Sequence, residues 1–94
     1  MSARILIVED HADLRHLIRM MLEFDGYEIY EASDASEGLE MVHRVRPHLL
    51  VLDIMLPGAS GYDVLEYIKP LKIPVIFITA KNSLNDRVMG LKMG

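Results

Sequence analysis

The sequence predicts a doubly wound α/β domain, in which helices cover both faces of a parallel β-sheet. Short, purely apolar runs such as Ile5–Val8 and Leu49–Leu52 are typical of strands that are buried on both faces of such a sheet. Amphipathic segments of helical period alternate with these runs, and no linker, repeat or low-complexity segment interrupts the alternation. This order of elements implies parallel strands joined by right-handed crossovers.

Two strand–helix units make up the first half of the chain. Leucine, isoleucine and methionine at helical spacing predict a helix after the first strand, and Asp25-Gly26 ends it. A second strand of alternating polarity follows, and Asp34 with Glu37 is typical of a helix N-terminus. Pro47 ends that helix. The elements are strand Arg4–Val8, helix Asp13–Phe24 burying Leu14, Leu17, Ile18, Met21 and Leu22, strand Tyr27–Glu31, and a helix burying Ala35, Leu39, Val42 and Val45.

Two further units are predicted in the second half. The third strand ends at Asp53, and the turn-forming residues from Pro57 to Gly61 follow it. A short helix comes next, and Pro70 breaks it. Ser83 with Asp86 indicates the start of a last helix. The elements are strand Leu49–Asp53, helix Tyr62–Ile68 burying Val64, Leu65 and Ile68, strand Pro74–Thr79, and a last helix with Leu84, Val88 and Leu91 as its apolar stripe.

Composition and charge restrict the classes of function. The chain has 94 residues, 51% of them apolar, so it should fold as one small domain. Its 14 acids and 10 bases give a net charge of −4, and the scattered bases predict binding neither to nucleic acid nor to an anionic membrane. The absence of cysteine excludes disulfides and thiolate metal sites. Without a recognisable signal peptide or a membrane-spanning run, we expect a soluble cytoplasmic protein.

Acidic residues follow two of the predicted strands. Glu9 and Asp10 close the first apolar run, and Asp53 closes the third. Because parallel strands end at the same edge of a sheet, these carboxylates should share one cleft, where Mg²⁺ is the natural counter-charge. Thr79 ends the fourth strand, so its hydroxyl and the following backbone N–H groups should face that cleft. A carboxylate beside Mg²⁺ and opposite a hydroxyl donor can act as a nucleophile toward a phosphoryl group.

Three segments together resemble the receiver domain of two-component response regulators. They are Ile5–Asp10, Leu50–Gly58 with Gly61, and Pro74–Ala80, and the likeness runs from end to end of the chain. The resemblance implies a flavodoxin-like sheet with its four strands in the order 2-1-3-4. It also implies that Asp53 accepts a phosphoryl group from a phosphohistidine on a sensor histidine kinase or a phosphotransfer protein.

The resemblance also implies roles for individual residues. Asp10, Asp53 and the backbone carbonyl of Met55 would hold Mg²⁺, and Glu9 would support the ion through water. Thr79 would be the switch hydroxyl that moves toward the phosphoryl oxygen. The domain would catalyse its own aspartyl phosphorylation and dephosphorylation, with no dedicated substrate turnover. The residues flanking the phosphoryl group would be Ala80, Met55 and Lys81.

The family pattern continues beyond the part that this chain matches. It adds a fifth strand with an active-site lysine, roughly twenty residues after the switch threonine, and a fifth helix. Because the chain ends at Gly94, we expect residues 1–94 to be a C-terminally truncated receiver domain with four of five βα units. The fourth strand would then lie at the sheet edge. We therefore expect that the chain is part of a longer protein, that it forms a homodimer through that edge, or that it exchanges elements with a second copy.

The sequence bears on three alternative functions. A phosphatase-like hydrolase of the haloacid dehalogenase type needs a second aspartate where this chain has Met55. A nucleotide- or flavin-binding fold is disfavoured by the acidic, glycine-free segment His11-Ala12-Asp13. A truncated receiver fold that does not switch and serves as a dimerisation or interaction module stays open. Four histidines lack the spacing of zinc ligands and are predicted to face solvent: His11, His16, His43 and His48.

Overall fold

The computed structural model of the protein describes residues 2–56 and 60–78. Strands and helices alternate through this part of the chain, as the sequence predicts. The elements are β1 (Arg4–Val8), α1 (Ala12–Phe24), β2 (Glu28–Ala32), α2 (Ala35–Val45), β3 (Leu49–Asp53), α3 (Gly61–Ile68), a 3₁₀ turn (Lys69–Leu71) and β4 (Val75–Ile78). The helix predicted to begin near Ser83 lies outside the described residues.

The four strands form one parallel sheet in the order β2-β1-β3-β4, which confirms the predicted topology. The two most apolar strands, β1 and β3, lie side by side in the middle, where both of their faces are covered. Their register pairs Val8 with Leu52, the last apolar residue of each run. The next residues along the chain, Glu9 directly after β1 and Asp53 at the end of β3, therefore reach the same edge of the sheet together.

Alternating side chains of the strands form two apolar layers, one on each face of the sheet. On one face, Leu6 and Val8 of β1 pack with residues of α2 and α3. On the other face, Ile5 and Ile7 pack with Ile18 and Leu22 of α1. Helices thus cover both faces, and the predicted doubly wound architecture is confirmed.

Helix α1 is covered less than the sequence predicts. Leu14, Ile18 and Leu22 are half-buried, but Leu17 and Met21 are 54% and 63% exposed, so their predicted burial is wrong. In the described part of the chain α1 is the one helix over its face of the sheet. The residues that point directly at the strands, Leu14, Ile18 and Leu22, are four positions apart and are the ones that the sheet covers.

Turn chemistry sets two of the element boundaries. Strand β2 begins at Glu28, one residue later than predicted, because Tyr27 still belongs to the turn that ends α1. In that turn Gly26 adopts a φ of +92°, and its N–H donates to the Glu23 carbonyl. The cap predicted at Asp34 is confirmed, since its carboxylate accepts from the Glu37 N–H at 2.8 Å. Among the described helices, none combines the length and the hydropathy that crossing a membrane requires.

Candidate functional site

The carboxyl ends of β1 and β3 bring Glu9, Asp10 and Asp53 to one place. Glu9 is fully buried and Asp53 is 1% exposed, whereas Asp10 is half-buried. Each of these residues, and His11 as well, offers a ligand atom, and the four atoms lie within 4.8 Å of one another. The strand-end argument from the sequence predicts this grouping of acids, and the register of β1 with β3 explains it.

Asp53 is held by the loop that follows its own strand. The Met55 N–H donates to Asp53 Oδ1 at 3.0 Å, and the Ile54 N–H donates to the Ile78 carbonyl of β4 at 3.1 Å. Burial, reinforced by the carboxyls of Glu9 and Asp10, raises the pKa of Asp53 from 3.8 to about 7, although the Met55 N–H opposes the shift. The side chain therefore lies where its negative charge is costly unless a cation compensates it.

Two carboxylate oxygens of the site lack a hydrogen-bond partner among the residues that the structure describes. They are Glu9 Oε1 and Asp10 Oδ1. The other oxygen of Glu9, Oε2, accepts from the His11 N–H at 2.9 Å. Buried carboxylate oxygens without donors are unfavourable, and a divalent cation that prefers oxygen ligands would satisfy both. The donor set therefore fits the Mg²⁺ that the sequence predicts.

His11 is a member of the cluster that sequence reasoning missed. Its side chain is 65% exposed, as predicted, but Nδ1 lies 3.1 Å from Glu9 Oε2 and 3.4 Å from Asp10 Oδ1. The hydrogen bond to Glu9, and then the charge of Asp10, raise the pKa of His11 above its usual value of 6.5. The available signal was its position directly after two acids and directly before α1, where the chain turns back over the strand end.

Arg15 is a second residue that the sequence did not single out. Its guanidinium lies between the end of β1 and strand β2, donating to the Glu9 carbonyl at 2.8 Å and to Glu31 Oε1 at 2.7 Å. These bonds fix the backbone at the point where β1 leads into the acidic cluster, the three carboxylates of Glu9, Asp10 and Asp53. Only the tertiary placement of β2 beside β1 brings Glu31 within reach, so the sequence spacing carried no signal.

Gly61 is needed because α3 begins directly against the end of β3. A Cβ atom at this position would lie 2.5 Å from the Asp53 carbonyl oxygen and 2.9 Å from Ile54 Cα. The Gly61 N–H donates to the Ile54 carbonyl at 2.8 Å, and Ser60 and Asp63 form a capping box around the helix start. The absence of a side chain at Gly61 therefore lets α3 support the strand end that carries Asp53.

The remaining predicted site residues fall into two groups. Met55 lies beside Asp53 with its side chain 56% exposed and its N–H bound to the Asp53 carboxylate. Thr79, Ala80 and Lys81 lie outside the described residues. The described part of the site therefore consists of the acidic cluster, His11 and the backbone of Ile54 and Met55.

Comparison with known proteins agrees with this fold and site. The sequence model of the response regulator receiver domain matches residues 5–94. The chain belongs to the response regulator receiver family. It is 40% identical over 96 residues to response regulator MprA of Mycobacterium ulcerans (strain Agy99), covering 100% of this chain and 41% of that protein. It is 36% identical over 92 residues to probable transcriptional regulator ycf27 of Porphyridium aerugineum, covering 97% of this chain and 38% of that protein.

The receiver fold is also found in solved structures that resemble this one. A CheY-like receiver domain from Methanospirillum hungatei JF-1 is 34% identical, with a TM-score of 0.82, covering 94% of this chain and 72% of that one. Of the two curated relatives, response regulator MprA and the regulator ycf27, the chain spans about two fifths of the length. Membership of the family places the chain among the proteins of two-component signal transduction.

Proposed function

We propose that this receiver domain accepts a phosphoryl group on Asp53 and signals through the conformational change that follows. The observation that carries the proposal is the position of Asp53, which is 1% exposed at the end of β3 with Glu9 and Asp10 beside it. The proposal treats residues 1–94 as the first four βα units of the family's five. Thr79 serves as the switch hydroxyl, and Met55, Ala80 and Lys81 flank the phosphoryl group.

The chemistry required of Asp53 is nucleophilic. One of its carboxylate oxygens forms a bond to phosphorus while the bond from phosphorus to the imidazole nitrogen of the donor breaks, and the electron pair stays on that nitrogen. The Met55 N–H at 3.0 Å from Asp53 Oδ1 fixes one oxygen of the carboxylate. The second oxygen can then be directed at the incoming group without reorienting the side chain.

The acidic cluster supports a requirement for Mg²⁺. Asp10, Asp53 and the Met55 carbonyl would hold the ion, and Glu9 would support it through water. This is consistent with the oxygens of Glu9 and Asp10 that have no hydrogen-bond donor among the described residues. When bound, the ion supplies positive charge that offsets the negative charge of the acids and of the phosphoryl oxygens. The protein's own part is to keep Asp53 oriented and Glu9 buried and fixed by His11.

The donor we propose is a histidine kinase or a phosphotransfer protein in the cytoplasm. Response regulators act with such partners, and the family assignment and the likeness to response regulator MprA support this choice. The acidic net charge of −4 supports the expectation that the domain does not itself bind nucleic acid. A second copy pairing along β4 remains part of the proposal as the mode of self-association.

The test is to incubate the chain with a small phosphodonor and Mg²⁺ and to measure its intact mass. We expect a gain of about 80 Da, roughly one phosphoryl group, that disappears when EDTA removes the ion. Asp53→Asn should abolish the gain, because the amide oxygen is a poor nucleophile. Asp25→Asn changes an exposed aspartate at the far end of α1 and should leave the gain intact.

The competing function is an interaction module that is not phosphorylated. It predicts a folded chain that binds Mg²⁺ and gains no mass with any phosphodonor. That result, or a mass gain that persists in Asp53→Asn, would overturn the proposal for Asp53. Loss of the gain in both aspartate variants would mean that the result for Asp53→Asn does not identify Asp53 as the phosphorylated residue.

A further inference from the structure

The candidate metal site offers one ligand atom that is not oxygen. His11 Nδ1 lies among the carboxylates of Glu9, Asp10 and Asp53, and all four ligand atoms are within 4.8 Å of one another. Imidazole nitrogen is a preferred ligand of Ni²⁺, Cu²⁺ and Zn²⁺, whereas Mg²⁺ strongly prefers oxygen. The donor set of this chain therefore differs from one made of carboxylates and carbonyls alone.

The separations between these atoms fit simultaneous coordination of one ion. Ligands bound at about 2.1 Å are roughly 3.0 Å apart when their bonds meet at a right angle, and roughly 3.4 Å apart at the tetrahedral angle. His11 Nδ1 is 3.1 Å from Glu9 Oε2 and 3.4 Å from Asp10 Oδ1. The nitrogen can therefore join the two carboxylates around an ion with only a small movement of an exposed side chain.

A second observation points to a cation at this place. Glu9 is fully buried, and its Oε1 has no hydrogen-bond partner among the described residues, as is also true of Asp10 Oδ1. The position of Glu9 is fixed by the His11 N–H on its other oxygen and by Arg15 on its backbone carbonyl. A fixed, buried acceptor without a donor is a preformed ligand, because little reorganisation is needed when an ion binds.

We propose that the site formed by Glu9, Asp10, His11 and Asp53 binds a divalent transition ion in competition with Mg²⁺, and that His11 is its nitrogen ligand. The inference rests on the proposed function, since it concerns the same acidic cluster. Carboxylates alone discriminate weakly among divalent ions, but each nitrogen ligand shifts the preference toward Ni²⁺, Cu²⁺ and Zn²⁺. His11 thereby determines which metal occupies the domain when both kinds of ion are present.

The test measures the affinities of the chain for Ni²⁺ and for Mg²⁺ by isothermal titration calorimetry at about pH 8, where imidazole is a free ligand. In the unmodified chain Ni²⁺ should bind more tightly than Mg²⁺, and excess Mg²⁺ should displace it. His11→Ala should weaken Ni²⁺ binding by about tenfold or more and change Mg²⁺ binding by less than about threefold. His11→Asn, which keeps a polar side chain beside Glu9, should give the same result.

The matched control is His16→Ala, because His16 of α1 is also an exposed histidine, with its side chain 63% exposed against 65% for His11. This variant should leave both affinities unchanged. In a chain that binds both ions, Ni²⁺ binding that excess Mg²⁺ does not displace would overturn the inference, and so would a Ni²⁺ affinity that is unchanged in His11→Ala. Ni²⁺ binding that requires His11 and Asp53 in a chain that does not bind Mg²⁺ would support the inference and overturn the Mg²⁺ requirement proposed above. Binding of Mg²⁺ with no preference for Ni²⁺ would support the proposed Mg²⁺ requirement and overturn the inference about His11.

Discussion

The strands of the parallel sheet all begin at one edge and all end at the opposite edge. These two edges differ in how fully their polar groups are paired. At the edge where the strands begin, Arg4 and His48 bond to each other twice, through the Arg4 N–H at 2.9 Å and the His48 N–H at 2.7 Å. The Arg4 guanidinium also donates to the carbonyls of Val45 and Arg46 at the end of α2. At the opposite edge, oxygens of Glu9 and Asp10 lack hydrogen-bond donors among the described residues.

This difference shows which edge stabilises the domain and which edge can perform chemistry. Paired groups at the beginning of the strands each contribute modestly to folding. Carboxylates crowded at the other end oppose folding until a cation compensates them. The same strands β1 and β3 therefore carry a stabilising edge, where they begin, and a reactive edge, where they end. Removing a charged side chain should destabilise the fold at the first edge and stabilise the metal-free fold at the second.

The largest expected effect is at Gly61, which supports the reactive edge without carrying charge. Gly61→Ala should lower the free energy of unfolding by about 3 kcal/mol, because the new methyl group would overlap the backbone of Asp53 and Ile54. Gly38→Ala is the matched control. Its Cβ would meet the side chain of Val8, with the two methyl groups at 3.0 and 3.1 Å, and no backbone atom is among its nearest neighbours. Because alanine also favours a helix interior over glycine, the net loss should be about 1 kcal/mol or less.

Urea denaturation of the two glycine variants provides the measurement. Equal losses at both positions would mean that the start of α3 can move away from β3. The reactive edge would then be less constrained than the contacts of Gly61 imply. An unchanged Mg²⁺ affinity in Gly61→Ala would lead to the same conclusion, since the overlap falls on the backbone that carries Asp53.

The next effect has the opposite sign. Asp53→Asn should stabilise the metal-free chain by about 2 kcal/mol at pH 8. The native pKa of about 7 lies above the ordinary value of 3.8, so the folded state disfavours the ionised carboxylate. The cost to stability is absent below about pH 4, grows as the pH rises, and is complete above about pH 7. The stabilising effect of the substitution should therefore vanish as the pH falls toward 4.

Urea denaturation in EDTA across this pH range measures the effect. The same measurement with Mg²⁺ in place of EDTA tests whether the ion compensates the charge of Asp53. Adding the ion should raise the stability of the unmodified chain at pH 8 by mass action and leave Asp53→Asn nearly unchanged. If Asp53→Asn destabilises the metal-free chain at pH 8, the carboxylate is compensated within the fold. The contrast between the two edges would then be wrong.

Most of the fold could be predicted from local sequence, because its central strands are apolar on both faces. The bounds of β1 and β3 match the prediction at both ends. Their parallel arrangement was enough to predict that Glu9, Asp10 and Asp53 meet. Strand β2 was displaced by one residue because the left-handed turn at Gly26 includes Tyr27.

What the sequence could not supply depends on tertiary distances. The role of Arg15 requires Glu31 to lie beside the end of β1, and the spacing of the two residues does not indicate this. The exposure of Leu17 and Met21 depends on how much of one sheet face α1 covers. The place of His11 within the cluster depends on a side-chain orientation at the start of α1, which its position after Glu9 and Asp10 in the sequence does not determine.

The smallest expected effect is at the stabilising edge. Arg4→Ala should lower the free energy of unfolding by about 1 kcal/mol, because it removes the side-chain donors to the Val45 and Arg46 carbonyls. Arg44→Ala is the control, because Arg44 is an exposed arginine of α2 whose guanidinium lies 3.5 Å from Glu40. This variant should lower the free energy of unfolding by less than about 0.5 kcal/mol. Urea denaturation at pH 8 in EDTA measures both.

Comparing Arg4→Ala with Asp53→Asn then decides how independent the two edges are. The Cα atoms of the two residues lie at opposite ends of the sheet, and no partner is common to both side chains within the described residues. Their effects should therefore add in the double variant to within about 0.5 kcal/mol. A larger deviation would mean that the strain of the crowded carboxylates is transmitted along β1 and β3. In that case the paired edge would not merely stabilise the sheet but would help to hold the reactive edge in place.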